Sequence, residues 1–239
     1  MKRYSAVLIL SVLFQQTGSL PFPIARGNHP EVTDDTIIRI SEAPAHSALH
    51  DLLVIAFDNH IPLGITVGDT RDTDICGASL KLQRGTVTVA ELIAAIEAAE
   101  PRYRAAIENG VLAVIPTTLS DATAQFFNTR LAHFQSASGP HQFLGLALWR
   151  SVRSVLSPGE GDNVVHPVAL SAETVQGMDV KSETVRAILD MIVDEGNGGT
   201  WILNASQIKI LSGDTPMPYE VYGYVGEDRS FLSNQVCSH

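Results

Sequence analysis

The chain of 239 residues is poor in cysteine and in positive charge. Only Cys76 and Cys237 are present, so at most one disulfide can form, and the sequence leaves that bridge and two free thiols equally open. Lys and Arg number 16 against 26 Asp and Glu, which gives a formal net charge of −10. An acidic protein repels phosphate backbones and anionic lipid, so we expect neither nucleic acid nor an anionic membrane surface as a partner.

Several catalytic signatures are missing. The serine-hydrolase elbow Gly-x-Ser-x-Gly and the zinc motif HExxH do not occur. The glycine-rich run Glu195–Gly199 follows a predicted helix, whereas a phosphate loop precedes one, so the run predicts a helix C-cap and turn. Ser206 and Lys209 match Ser-x-x-Lys, but the alternation around Ile208 indicates a strand, on which the two side chains face opposite ways. We therefore predict no catalytic residue and no cofactor from these motifs.

Two histidines near one predicted helix start are the best metal candidates. His46 and His50 are spaced i, i+4, so on a helix they would share a face, and Asp51 lies beside them. No third ligand follows at a recognisable spacing, which favours two surface histidines over a metal site. Trp149 and Trp201 are interpreted as core residues, because an indole buries a large area.

Long apolar runs are also rare. The strongest is Ala6–Phe14, which follows Lys2 and Arg3 and precedes the small residues Thr17–Ser19. That order is typical of a secretory signal peptide and is too short for a stable membrane anchor. We predict a signal peptide over 1–19, a periplasmic or secreted protein, and no membrane insertion after cleavage.

The remaining sequence predicts an α+β fold built from two small β-α-β-β units in tandem. An extended leader covers 20–35, the first unit 36–120, the second 121–212, and a tail or edge strand 213–239. The two halves are related by an overlay of Val180–Leu189 on Val87–Ile96, in which apolar residues share slots. We expect Leu92 and Ile188 to be buried in equivalent helices.

In the first unit, strands are predicted at Thr36–Ile40 and Ser79–Leu82, and a helix over Ser47–Asn59. A second helix begins at the capping box that Thr88 and Glu91 form. The turn Asn109-Gly110 joins two hairpin strands, Tyr103–Glu108 and Val111–Ile115.

In the second unit, a helix is predicted over Pro140–Val155 and a strand over Val164–Leu170. A hairpin-like pair, Thr200–Asn204 and Gln207–Leu211, follows the second helix. Tyr219–Val225 alternates around Val221 and predicts a further edge strand.

The segment Leu80–Ile96 resembles the short N-terminal (STN-type) domain of secretins and TonB-dependent receptors. In that family a strand leads through a small loop to a helix whose start reads valine, any, any, alanine or glutamate, leucine, and the segment Leu80–Ile96 is similar to this pattern. The hairpin at Asn109-Gly110, the helix from Leu49 with the strand after it, and Asp179–Leu189 fit the same pattern. No barrel or pore region follows, so the resemblance implies a free-standing periplasmic interaction domain without catalytic residues.

Two functions of different class follow from these observations. The first is a non-enzymatic module that binds another envelope protein through a strand edge, with Thr36–Ile40 and Tyr219–Val225 as the candidate edges. The alternative is a small-ligand binder or enzyme whose site is assembled from scattered residues. Its candidates are His141, Asp162 and His166.

Overall fold

Nine strands and six helices build the parts of the chain that a computed structural model describes, which are residues 31–68, 75, 77–156, 173–208 and 217–224. The strands are β1 (Ile37–Ile40), β2 (Leu63–Val67), β3 (Gly85–Thr88), β4 (Tyr103–Glu108), β5 (Val111–Pro116), β6 (Arg130–Gln135), β7 (Asp179–Thr184), β8 (Gly199–Asn204) and β9 (Tyr219–Gly223). The helices are α1 (Ala48–Asn59), α2 (Val89–Ala99), α3 (Asp121–Asn128), α4 (His141–Leu156), α5 (Val185–Asp194) and α6 (Ala205–Ile208). The predicted α+β class is confirmed.

The largest sheet combines strands from both halves of the sequence. Its order is β4-β5-β2-β8-β9. The central strand β2 runs parallel to β5 on one side and to β8 on the other, whereas β4–β5 and β8–β9 are antiparallel hairpin-like pairs. The β2–β8 ladder runs from Leu63 opposite Thr200 to Val67 opposite Asn204. This pairing joins the first half of the chain to the second through backbone hydrogen bonds.

Each face of this sheet is covered by helices and by a small antiparallel ribbon. On one face, α1, α2 and the β1–β3 ribbon form a core with Leu52, Ile65 and Leu92. On the other face, α3, α4, α5 and the β6–β7 ribbon form a second core with Trp149, Ile188 and Trp201. Successive residues of a strand point to opposite faces, so β2 can contribute to both cores.

The short-range predictions of the first half agree with the structure. Ser47 caps α1 by accepting a hydrogen bond from the His50 N–H. Thr88 and Glu91 form the predicted reciprocal capping box at the start of α2. Asn109 and Gly110 both have positive φ, 55° and 83°, as a two-residue hairpin turn requires.

The predicted strand at Ser79–Leu82 is wrong, because the ladder with β1 begins only at Gly85. The backbone of the earlier segment has a different partner: the Ala78 carbonyl accepts a hydrogen bond from the first N–H of α1, at Ala48. Leu80 still contributes to the core, and it is 4% exposed.

The predicted strand at Gln207–Leu211 is also wrong where the structure describes it, since Gln207 and Ile208 belong to α6. The antiparallel partner of β8 is β9, which is the strand predicted in the tail. The predicted strand Val164–Leu170, the signal peptide and both cysteines lie outside the described residues.

The helix caps of α2 and α5 give a register different from the predicted overlay of Val180–Leu189 on Val87–Ile96. Thr88 caps α2 and Thr184 caps α5, each by accepting from the backbone N–H three residues on. Aligning the caps places Val185 on Val89, three residues away from the predicted overlay, because a shift of nearly one helical turn preserves an apolar stripe. Leu92 and Ile188 then occupy equivalent positions, and both are fully buried as predicted.

Candidate functional site

The predicted docking edge at Thr36–Ile40 forms a strand, but its outer side is closed at its centre. The side chain of Asn59, at the end of α1, accepts a hydrogen bond from the Arg39 N–H at 2.7 Å and donates one to the Arg39 carbonyl at 2.9 Å. The amide group thus takes the place of a neighbouring strand. The backbone N–H and C=O groups of successive strand residues point to opposite sides. Those of Arg39 point away from β3, so those of Ile38 point towards β3.

Two further edges are capped in the same way. On β4, the Ala105 N–H donates to the carboxylate of Glu97 at 3.1 Å, and the Tyr103 N–H donates to the Glu100 carbonyl at 2.9 Å. On β3, the Thr88 N–H donates to the carboxylate of Glu91 at 2.7 Å. Each cap interrupts the row of free groups that a continuous added strand would need.

The second predicted edge, in the tail, forms β9 and is outermost among the described strands of the large sheet. Hydrogen bonds join the Asn204 N–H to the Pro218 carbonyl and the Tyr224 N–H to the Gly198 carbonyl. Hydrogen-bonded pairs alternate along an antiparallel ladder, so Trp201 and Val221 are a non-hydrogen-bonded pair and the Val221 N–H faces away from β8. Only Glu220 of the five residues is exposed, and Val221 is 2% exposed. This strand offers little accessible backbone.

The β6–β7 ribbon differs from the other edges. Within the described ranges, Arg130 donates to the Ser182 carbonyl, where the β6–β7 register is interrupted, and no side chain bonds the outward backbone groups of His133, Asp179 or Lys181. Most of its side chains are exposed, and only Leu131, Phe134 and Val180 are buried. His133 and Asp179 contact each other across the ribbon, with Nε2 and Oδ1 2.8 Å apart. The ribbon is therefore an exposed, charged antiparallel pair with two open edges.

The predicted metal candidates line a small cavity. His46 precedes the N-cap of α1 and is not on the helix, yet its ring lies 4.5 Å from that of His50, and its Nδ1 lies 3.5 Å from Asp51 Oδ1. The cavity, about 180 Å³, lies between α1 and the segment Ser41–His46. The part of the chain that the structure describes contains no group of three His, Cys, Asp or Glu residues placed to hold a metal.

His141, a candidate of the alternative function, is fully buried at the start of α4. Its Nε2 lies 3.2 Å from the Glu195 carbonyl, and Nδ1 has no hydrogen-bond partner in the structure. The ring lies against Gly199 and Gly223, which face each other across β8 and β9; a side chain at either glycine would press against the imidazole. His166 and Asp162 lie outside the described residues, so no cluster with His141 can be assessed.

Burial lowers the pKa of His141 below its ordinary value of 6.5, and the Glu173 carboxylate and the Glu195 carbonyl oppose that shift. The unfolded chain therefore binds a proton that the folded chain excludes. The stability that neutral His141 contributes is present above the unfolded pKa and is lost as the pH falls below it towards the folded pKa.

We expect urea unfolding to show lower stability at about pH 5.5 than at about pH 7.5, with His141→Gln removing part of that loss. A His141→Gln profile identical to wild type would contradict this assignment.

The other residues considered from the sequence lie in the core, at a helix end or in α6. Trp149 and Trp201 are 1% and 0% exposed and fill the second core, as predicted. Glu195 is the C-cap of α5 and Gly196 follows with φ 67°, which confirms the predicted cap and turn. Ser206 lies in α6, and its hydroxyl donates a hydrogen bond to Asn204 Oδ1 at 2.6 Å. Lys209 lies outside the described residues.

A buried ionic cluster was not predicted. Arg186 on α5 donates from Nε to both carboxylate oxygens of Asp190 at 3.1 Å, and Trp201 Nε1–H donates to Asp190 Oδ1 at 3.0 Å. The only sequence signal is the i, i+4 spacing of Arg186 and Asp190, which also describes many exposed pairs.

Comparisons of the chain with protein-family models, with curated proteins and with solved structures found no match. Within the described ranges, no helix combines the length and the apolar character that crossing a membrane requires.

Proposed function

We propose that this protein is an exported, non-enzymatic interaction module that binds another envelope protein by adding a strand to the β6–β7 ribbon. The observation that carries the proposal is the contrast between edges. β1, β3 and β4 are each capped at one position at least and β9 is buried, whereas the β6–β7 ribbon has exposed edges on which no side chain of the described residues bonds the outward groups of His133, Asp179 or Lys181.

Open edges favour strand addition because their N–H and C=O groups lack partners. A partner strand gains main-chain hydrogen bonds from such an edge, while the side chains beside it select the sequence. Caps on β1, β3 and β4 and the burial of β9 each oppose pairing with a further strand, which leaves the ribbon as the proposed site of addition.

The resemblance to STN-type domains supports the same class of function. The first half has the elements on which that resemblance depends, namely α1 with β2, a strand leading into the capped helix α2, and the β4–β5 hairpin. A family whose pattern is apolar spacing, without catalytic signatures, agrees with a binding role.

Export is part of the proposal, and it is carried by the order of Lys2-Arg3, the apolar run and Thr17–Ser19. Intact-mass analysis of protein purified from the native host should therefore show an N-terminus near Leu20. An intact Met1 on protein from the cytoplasmic fraction would contradict export.

The binding site is tested by removing outward backbone donors. We expect Lys181→Pro to abolish capture of a specific envelope protein from extract, because proline has no N–H, whereas Lys181→Ala keeps the donor and should retain capture. His133→Pro and His133→Ala form the same comparison on β6. Circular dichroism controls for folding. Equal capture by folded proline variants and wild type would defeat the proposal.

A second candidate function is small-ligand binding in the cavity between α1 and Ser41–His46. Its lining brings Arg39 together with Glu42 and Asp58, so both signs of charge are present. Calorimetry with small zwitterionic ligands, on wild type and His50→Ala, distinguishes this candidate from strand addition, because the ribbon variants would leave such binding unchanged.

A further inference from the structure

The β7 edge presents a self-complementary pattern of charge. The Ser136 N–H donates to the Met178 carbonyl at 2.9 Å, and hydrogen-bonded pairs alternate along an antiparallel ladder. Phe134 and Val180 are the next such pair, so the backbone groups of Asp179 and Lys181 face away from β6. Both side chains are exposed, while Val180 is buried against the core.

We infer that one occupant of this edge is a second copy of the chain, paired β7 to β7 in antiparallel orientation about a two-fold axis at Val180. This inference rests on the proposed strand addition and names a partner for it. In that register each Lys181 lies opposite Asp179 of the second copy, so two pairs of opposite charge form across the new ladder. The outward backbone groups of the same residues meet and can exchange hydrogen bonds.

Other arrangements fit less well. An axis at Lys181 would place the two lysines opposite each other and Asp179 opposite Glu183, which are like-charge contacts throughout. On β6, the outward positions His133 and Gln135 contain no pair of opposite charge. An axis at Ser182 would also pair Lys181 with Glu183, but Ser182 has φ 56°, and the hydrogen bond from the Val185 N–H to the Thr129 carbonyl sets a phase in which the Glu183 backbone faces β6. Of these registers, the one centred on Val180 matches charge and backbone together.

The contact should be weak and reversible. Ser182 has φ 56°, and it interrupts the β6–β7 register between Lys181 and Glu183. An added strand therefore has few regular positions, and a short interface of this kind supports a transient complex. The two ion pairs lie at the surface, so salt should weaken the dimer.

Sedimentation velocity over a range of concentrations tests the inference on the full mature protein. We expect a reversible wild-type dimer, with Asp179→Lys and Lys181→Asp each weakening it about tenfold or more, because each places like charges in register. The double variant Asp179→Lys with Lys181→Asp restores the complementarity and should recover the dimer. His133→Gln, which loses the His133–Asp179 pair within one chain, should dimerise as wild type does.

Three results would overturn the inference: a wild-type protein that stays monomeric at every concentration, a double variant that does not recover, or a Lys181→Ala variant that dimerises more strongly than wild type. The last would identify Lys181 as a residue that prevents edge pairing. A monomeric wild type that still captures an envelope protein, with loss in Lys181→Pro, would defeat self-pairing alone. Undiminished capture by Lys181→Pro and His133→Pro would instead defeat the proposed function.

Discussion

Replacing Gly64 with alanine is expected to lower the free energy of unfolding by about 3 kcal/mol or more, at the upper end of the cost of overpacking a core. Gly64 lies on β2 directly opposite Trp201 of β8, and the indole lies over the glycine. An added Cβ would overlap the six-membered ring. Both residues belong to the β2–β8 ladder, which joins the two halves of the chain.

The Trp201 indole is held in place by its contacts. Trp201 is fully buried, its Nε1–H donates to Asp190 at 3.0 Å, and its ring packs edge-on to Phe127 with centroids 5.8 Å apart. Moving the ring would break that hydrogen bond and open the second core. The strain therefore cannot be relieved by a side-chain rotation alone.

Urea unfolding of Gly64→Ala measures the effect. Gly139→Ala is the matched control, because a Cβ there meets Phe143 Cδ2 at 3.5 Å, an ordinary contact, and should cost about 1 kcal/mol or less. Adding Trp201→Phe to Gly64→Ala should cost less than the sum of the two single changes, since the smaller ring leaves room for the methyl. Equal stability of the two glycine variants would show that the indole can move freely.

Sequence reasoning succeeded where a structure depends on a few adjacent residues. Thr88 and Glu91 form their capping box within one turn, and Asn109-Gly110 makes its turn from its own backbone preferences. Such local choices need no knowledge of the rest of the fold. The predicted strand at Ser79–Leu82 failed because Ala78 serves as the partner of α1 and the β1 ladder starts later.

The candidate site was less accessible to sequence reasoning because it depends on distant pairs. Nothing near Arg39 in the sequence shows that the Asn59 amide will close its edge, and nothing near Ala105 points to Glu97. The burial of His141 likewise depends on two glycines of β8 and β9 far along the chain. A single sequence shows which residues form strands more readily than which edges remain open.

The ionic cluster on α5 is the second site where a single substitution should have a large effect. The Asp190 carboxylate is 3% exposed and the Arg186 side chain 15%. The Arg186 guanidinium lies 4.9 Å from the Trp201 ring centroid and 5.3 Å from that of Phe127, and its Nη2 reaches Glu108 Oε2 at 3.3 Å. Burial raises the pKa of Asp190, while the Arg186 charge and the hydrogen bond from Trp201 oppose the shift. The Asp190 carboxylate is thus stabilised by the Arg186 guanidinium and the Trp201 N–H, and Arg186 also contacts the carboxylate of Glu108.

We expect Asp190→Ala to cost about 3–5 kcal/mol, because it leaves the buried indole N–H without an acceptor and leaves the Arg186 guanidinium with only its contact to Glu108 at 3.3 Å. Arg104→Ala is the control: it removes an ion pair with Glu108, the same carboxylate that Arg186 reaches, but its own side chain is 56% exposed and the loss should be about 1 kcal/mol or less. Replacing both charges, as Arg186→Met with Asp190→Leu, should recover most of the stability, since it leaves no unpaired charge in the core. If Asp190→Ala instead matched Arg104→Ala in its urea midpoint, the buried pair would be contributing only its packing, and the junction between α5 and β8 would depend on the indole alone.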